Sequence, residues 1–374
     1  MRHLYLFIGL WAIQLSYSMA QEPIDIKYAS HFEVNYHSDG VKTLMIKNPW
    51  PNSDEVYNYA LIPKELFESK KIRSNYKDFE CIEVPVKRIV LSSTTHIPSL
   101  VDLDEVESIV GFTGTQYISS KEVRTAVNNG MIQELGVNEK VNIESTIALQ
   151  PDLFIGFSIN GPTRAYEELK RFGIPIVYNA DWIEQSPLAK AEWLKFFSLF
   201  FNKEKEAKAL FEKIEEAYLA AKQLAKSVIK QPTVISGSLY KDVWYAPGKD
   251  SWAASFIKDA NANYLFSDWG GIGSSSLSIE EAVLKGVDAQ FWIAPSQYTS
   301  YQQMKEDNPH YKVFTAFKNQ KIYTYALSTG EGNGLLYYEL GPHRPDLILK
   351  DLIAIFHPEL LKQYRPTFFK PLHP

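Results

Sequence analysis

Two stretches of the chain place an acidic side chain in the same local setting. N-I-E-S-T-I-A-L-Q-P-D runs from Asn142 to Asp152, and S-I-E-E-A-V-L-K-G-V-D from Ser278 to Asp288. Asn142 and Ser278 read as helix N-caps, and S-x-x-E from Ser278 to Glu281 spells a capping box. Glu144 and Glu280 then fall at the second helical position. There a carboxylate complements the helix dipole for about 0.3 to 1 kcal/mol. One such acid is ordinary. Two of them, in matching places with the capping done by other residues, read as outward charges that could dock a partner.

A second set of candidates lies where short apolar runs end. Open α/β sheets bind ligands beyond the carboxyl ends of their strands. Those ends supply Thr95, His96, Tyr117 and Trp182 in the first half of the chain and Tyr240, Trp244, Trp269 and Tyr298 in the second. Walls of Trp and Tyr suit a large, flat or greasy ligand oriented by a few hydrogen bonds. Lys241 is the main cation nearby, whereas a strongly anionic chelate calls for several arginines. His96 either faces such a ligand or packs on the helix that starts beside it. If the ligand is haem, His96 or Tyr117 could serve as its axial ligand.

No phosphate loop, G-x-S-x-G elbow or H-E-x-x-H motif occurs, and the eight histidines do not cluster as metal ligands would. No catalytic set, resident cofactor or resident metal is expected. Two other functions remain open. One is a secreted enzyme using His96 with Asp181 or Glu331 as acid and base. The other is a zinc- or manganese-binding transport protein, which would need more converging ligands than His96.

The elements that must position these residues follow from hydrophobic patterning. The chain has 374 residues and a formal net charge of -5, which argues against a nucleic-acid partner. Residues 1–20 have a basic start, a short apolar core and a small-x-small end, so a signal peptide cleaved near Ala20 is expected, leaving a soluble periplasmic chain. Cys81 is the single cysteine, so no intramolecular disulfide can form, and none stands at the cleavage site to carry a lipid anchor. Residues 21–84 alternate apolar and polar positions around an Asp-Gly turn, a small β extension with a hairpin. Residues 85–185 and 231–374 each repeat short apolar runs followed by helix-like segments, the pattern of βαβ units. The fold class is α/β: two Rossmann-like lobes with short parallel sheets. Residues 186–230, capped at Ser186 with Pro187 at the first helical position, read as one long amphipathic helix bridging them.

These features together resemble a known family. R-I-V-L-S-S, I-V-G-F-T-G, the two acidic phrases with the runs after them, and E-L-G-P-H-R-P-D-L-I-L-K-D-L-I-A-I-F-H-P-E-L look like the substrate-binding proteins of ATP-driven importers for iron-siderophore, haem and cobalamin complexes. The extension and the K-N-P-W-P-N loop look more specifically like the Bacteroidetes versions. The resemblance runs from about Pro85 to the C-terminus. It implies capture of a metal chelate between two lobes, by a protein expected to be a monomer. It further implies that Glu144 and Glu280 pair with arginines of the importer's membrane subunits. Ligand contacts vary within the family, so the chelate itself is not carried over.

Overall fold

The computed structural model describes residues 23–137, 140–332 and 334–374. The expected leader lies outside these residues. The short apolar runs of both lobes become strands, most of them buried on both faces as parallel strands are. In the first lobe the sheet order is Ile176–Tyr178, Leu153–Gly156, Ile89–Leu91, Ile109–Phe112, Gln133–Glu134, all parallel. In the second it is Asn263–Tyr264, Thr233–Ser236, Phe291–Ile293, Ile322–Thr324, with the antiparallel Lys370–Pro371 at the edge. With the two-residue edge strands Gln133–Glu134 and Lys370–Pro371 set aside, the two sheets share one plan: the first strand of each lobe lies between its second and its third, and the fourth lies beyond the third.

The bridge differs from its expected form in being two helices. Ser186 caps Pro187–Ser198 by accepting from the N–H of Ala189, and every residue of this helix is buried. The chain then turns at Asn202, whose φ of 55° is left-handed and ends the run. Glu204–Ala225 follows as the longer helix. It spans roughly 33 Å at 1.5 Å per residue. Ala207 packs into the core of the first lobe, while Tyr218, Ala221 and Ala225 pack into that of the second. A packed rod of this kind holds the lobes at a set distance, unlike a flexible linker.

The extension is a four-stranded sheet, Phe32–Tyr36, Lys42–Lys47, Val56–Pro63 and Glu80–Val84, with the hairpin placing Tyr36 opposite Lys42. It shares the core of the first lobe through Phe32, Leu44, Trp50 and Tyr59. Two buried carboxylates staple the segment that leads into it. Glu192 accepts from the backbone N–H groups of Lys27, Tyr28 and Ala29 and from Lys195 Nζ at 2.6 to 3.1 Å. Glu184 accepts from Ser30 and His31 N–H and from Trp193 Nε1. Charged acceptors make strong hydrogen bonds in low dielectric, so the extension is fixed to the bridge.

Candidate functional site

A cleft of about 1270 Å³ opens where the second lobe faces the end of the first lobe and the extension. Three walls meet there. The second lobe gives Tyr240 and Tyr245 from an antiparallel sheet, with Tyr298 beyond them. A cluster of rings forms the floor: Tyr325 and Tyr337 stack with centroids 4.6 Å apart, and Trp252 lies 5.6 Å from Tyr337. Trp182 comes from the first lobe, and Trp50 and His31 from the extension. Among the described lining residues Lys241 is the only lysine or arginine and Asp307 the only carboxylate, and Asp307 accepts the Tyr298 hydroxyl. The surface is broad, aromatic and nearly uncharged.

Of the residues singled out from the sequence, Trp182, Tyr240 and Tyr298 line this cleft; Thr95, His96, Tyr117, Trp244 and Trp269 do not. Trp244 and Tyr245 are neighbours on one strand, so alternation sends one to each face. Trp244 turns into the core, stacks on Trp292 at 5.1 Å and donates to Ser236 O, leaving Tyr245 for the cleft. Trp269 is half-buried against Phe266, its face covered by Lys285 Nζ at 4.0 Å from the ring centroid. Thr95 shares a hydrogen bond with Ser93 Oγ.

His96 is wholly buried, beside Phe197. The helix Leu336–Leu340 of the second lobe packs over the turn that carries it. Neither ring nitrogen meets a partner among the described residues, and burial drives its pKa down to about 3. Asp181 is buried too, with burial raising its pKa against the pull of Lys190. Glu331 sits on an exposed loop with its N–H donating to Ser119 O. His96 bonds to neither acid, so the acid-base pair of the enzyme alternative is not assembled. Among the described residues no three His, Cys, Asp or Glu side chains converge as a zinc or manganese site requires.

The strand ends of the first lobe are covered because the lobes touch there directly. The loop around Gly330 and Gly334 lies so close that a Cβ at Gly330 would stand 2.3 Å from Ser119 Cβ, and one at Gly334 1.8 Å from Tyr117 O. Glu339 accepts from the backbone N–H groups of Ser119 and Ser120 at 2.6 and 2.8 Å. His343 Nε2 lies 2.8 Å from Asp102 Oδ2. This latch leaves Tyr117 half-exposed on the outside and Thr95 and His96 beneath.

Both acidic phrases have their expected local form. Asn142 accepts from Ser145 N–H at 3.0 Å, and Ser278 and Glu281 form the reciprocal capping box. Glu144 and Glu280 are exposed, and neither carboxylate meets a partner among the described residues. No helix of the described residues is long and apolar enough to cross a membrane.

The chain matches a family model described as periplasmic binding protein over residues 89–327. The chain belongs to the periplasmic binding protein family. An uncharacterised lipoprotein of Methanocaldococcus jannaschii is 29% identical over 367 residues, covering 92% of this chain and 84% of its own length. The vitamin B12-binding protein of Vibrio parahaemolyticus is 38% identical over 50 residues, 13% of this chain and 18% of that protein. Among solved structures, the periplasmic haem-binding protein HutB of Vibrio cholerae superposes with a TM-score of 0.57 at 18% identity, covering 73% of this chain and all of that one (100%). A Fe3+-hydroxamate transport protein of Saccharomonospora viridis gives 0.54 at 18%, covering 73% and 94%. At these identities the structural neighbours establish the two-lobed binding-protein fold. The M. jannaschii protein extends the likeness over nearly the whole chain.

Proposed function

We propose that this periplasmic binding protein captures a large metal chelate in the cleft and delivers it to an ABC importer through Glu144 and Glu280. The observation that carries the reading is the cleft itself. Its volume of about 1270 Å³ exceeds what an amino acid or a bare ion needs, and its wall is aromatic with one lysine. Burying a broad apolar ligand against rings supplies the affinity, and the few polar groups orient it. The haem-binding and hydroxamate-transport neighbours support the chelate class, with the metal as part of the cargo. Two exposed acids at equivalent places on the lobes, without a partner among the described residues, support docking, because each can meet one half of a two-fold importer with the ligand between them.

The test is direct. The mature chain, purified without added ligand, is examined by absorption spectroscopy and then titrated with haemin, cyanocobalamin and a ferric trihydroxamate while its melting temperature is followed. A ligand that binds the folded state raises the melting temperature by mass action. Stoichiometric binding without turnover is expected. A chain unmoved by all three at 10-micromolar order would remove the reading.

A further inference from the structure

We infer that the N-terminal extension is a wall of the ligand site that selects for neutral chelates fringed with amide groups. This rests on the capture reading above. The extension lies outside the family model, which begins at residue 89, yet its loop at residues 48–53 and His31 line the cleft. The loop is held rigidly for the purpose. Trp50 is buried and packs edge-on against Tyr178 at 5.5 Å and Tyr57 at 5.9 Å, tying it to the edge strand of the first lobe. Asn48 N–H donates to Glu55 O at 2.8 Å and Ser53 N–H to Trp50 O at 3.3 Å, closing the turn. His31 is fixed by its N–H bond to Glu184 and by Nδ1 against Lys47 O at 3.0 Å. A loop serving only to connect two strands has no need of this anchoring.

Besides Trp50 and Pro51 the wall offers polar groups: two amides, the Ser53 hydroxyl and the His31 imidazole. Asn48 and Asn52 have left-handed φ values of 46° and 59°, and their exposed side-chain amides are held by no other residue among those described. Gln185 joins them from the end of the first lobe, and Gln297 and Gln303 line the cleft from the second lobe, Gln303 with its Oε1 already accepting from Thr299 N–H at 2.9 Å. A carboxamide both donates and accepts, so a ring of them pairs best with other amides, such as the side chains of a corrinoid or the backbone of a trihydroxamate. The extension brings no lysine or arginine to the lining and the second lobe brings Lys241 alone, so the carboxylates of haem or the charge of a ferric tricatecholate would be desolvated there with little compensation.

The experiment uses the mature chain and the double variant Asn48→Gly/Asn52→Gly. Glycine adopts positive φ at no steric cost, so the turn persists while both amides are lost. Cyanocobalamin, a ferric trihydroxamate, haemin and a ferric tricatecholate are titrated calorimetrically against both proteins. At least one of the two amide-bearing chelates should bind the parent most tightly and lose about tenfold in the variant, with the melting temperature of the free protein unchanged. A variant that binds like the parent, or a parent that prefers the anionic pair, overturns the inference while leaving capture standing. Binding of none of the four overturns the capture reading and this inference with it.

Discussion

Glu144 and Glu280 occupy one position in two sheets of the same order. Each is the second residue of the helix that leads into the strand lying against its lobe's first strand, Leu153–Gly156 in one case and Phe291–Ile293 in the other. The lobes therefore present the two carboxylates as a matched pair. A helix-dipole role would account for either alone, but it needs neither the equivalence nor the absence of a partner among the described residues.

Changing both to alanine should leave chelate affinity within about twofold, since neither lines the cleft. Stability should fall by no more than about 0.3 to 1 kcal/mol per site, because the caps at Asn142 and Ser278 remain. Uptake through the cognate importer should collapse, as breaking an interfacial charge pair commonly costs about 2 to 5 kcal/mol. Transport assays on reconstituted importer decide the matter. A double variant that transports like the parent reduces the pair to two ordinary capped helices.

Within the cleft, Trp182→Ala and Tyr240→Ala should each weaken chelate binding about 3- to 10-fold, the loss expected of one ring contact. Tyr240 is 66% exposed in the free protein, so its loss should not move the melting temperature. Trp269→Ala and Tyr117→Ala should leave affinity unchanged, because Lys285 covers the first ring and the second lies outside the cleft. Calorimetric titration of the four variants separates these outcomes. Equal losses from Trp269 and Tyr240 would place the ligand elsewhere.

Local signals survived translation into structure and long-range ones did not. Caps, strand runs and the Asp-Gly hairpin depend on residues a few positions apart, and all can be read from sequence. The choice between Trp244 and Tyr245 depends on which face of a five-residue strand meets the core, and two adjacent aromatics give no period to decide it. His96 stands at a strand end as expected, but a helix more than 200 residues further along the chain covers it. The cleft wall from Asn48 to Ser53 was visible only as a loop. Its place on the cleft follows from long-range packing, Trp50 against Tyr178 more than 100 residues away.

His96 gives a pH signature. Its folded pKa of about 3 lies below the ordinary 6.5, so between these values the unfolded chain takes up a proton that the folded chain refuses. The contribution to stability is fully present above pH 6.5 and is lost as pH falls toward 3, to a total on the order of 5 kcal/mol. His96→Leu should remove that slope from a series of urea titrations between pH 7 and pH 4. Because neither nitrogen has a partner among the described residues, the substitution should cost little at pH 7. An unchanged pH dependence would show that the imidazole is not held neutral by burial.

Glu339 acts in the opposite direction, on the latch itself. Burial raises its pKa from 4.5 to about 7, even though two backbone N–H bonds favour the ionised form. Its folded pKa exceeds its unfolded one, so the folded chain holds the extra proton. That stability is fully present below pH 4.5 and declines as pH rises through 7, by about 3 kcal/mol at most. The lobe contact at Ser119 and Ser120 should therefore be tightest in mild acid and loosest above neutrality. Glu339→Gln keeps an acceptor for one N–H and carries no charge, so it should be more stable than the parent at pH 8 and no more stable at pH 4.5. Hydrogen exchange at the Ser119 and Ser120 amides reads the latch separately from global unfolding. In the parent, protection there should fall between pH 5 and pH 8 after correction for the intrinsic exchange rate, and in the variant it should stay level. Equal protection profiles in the two proteins would assign the pH response to some other group.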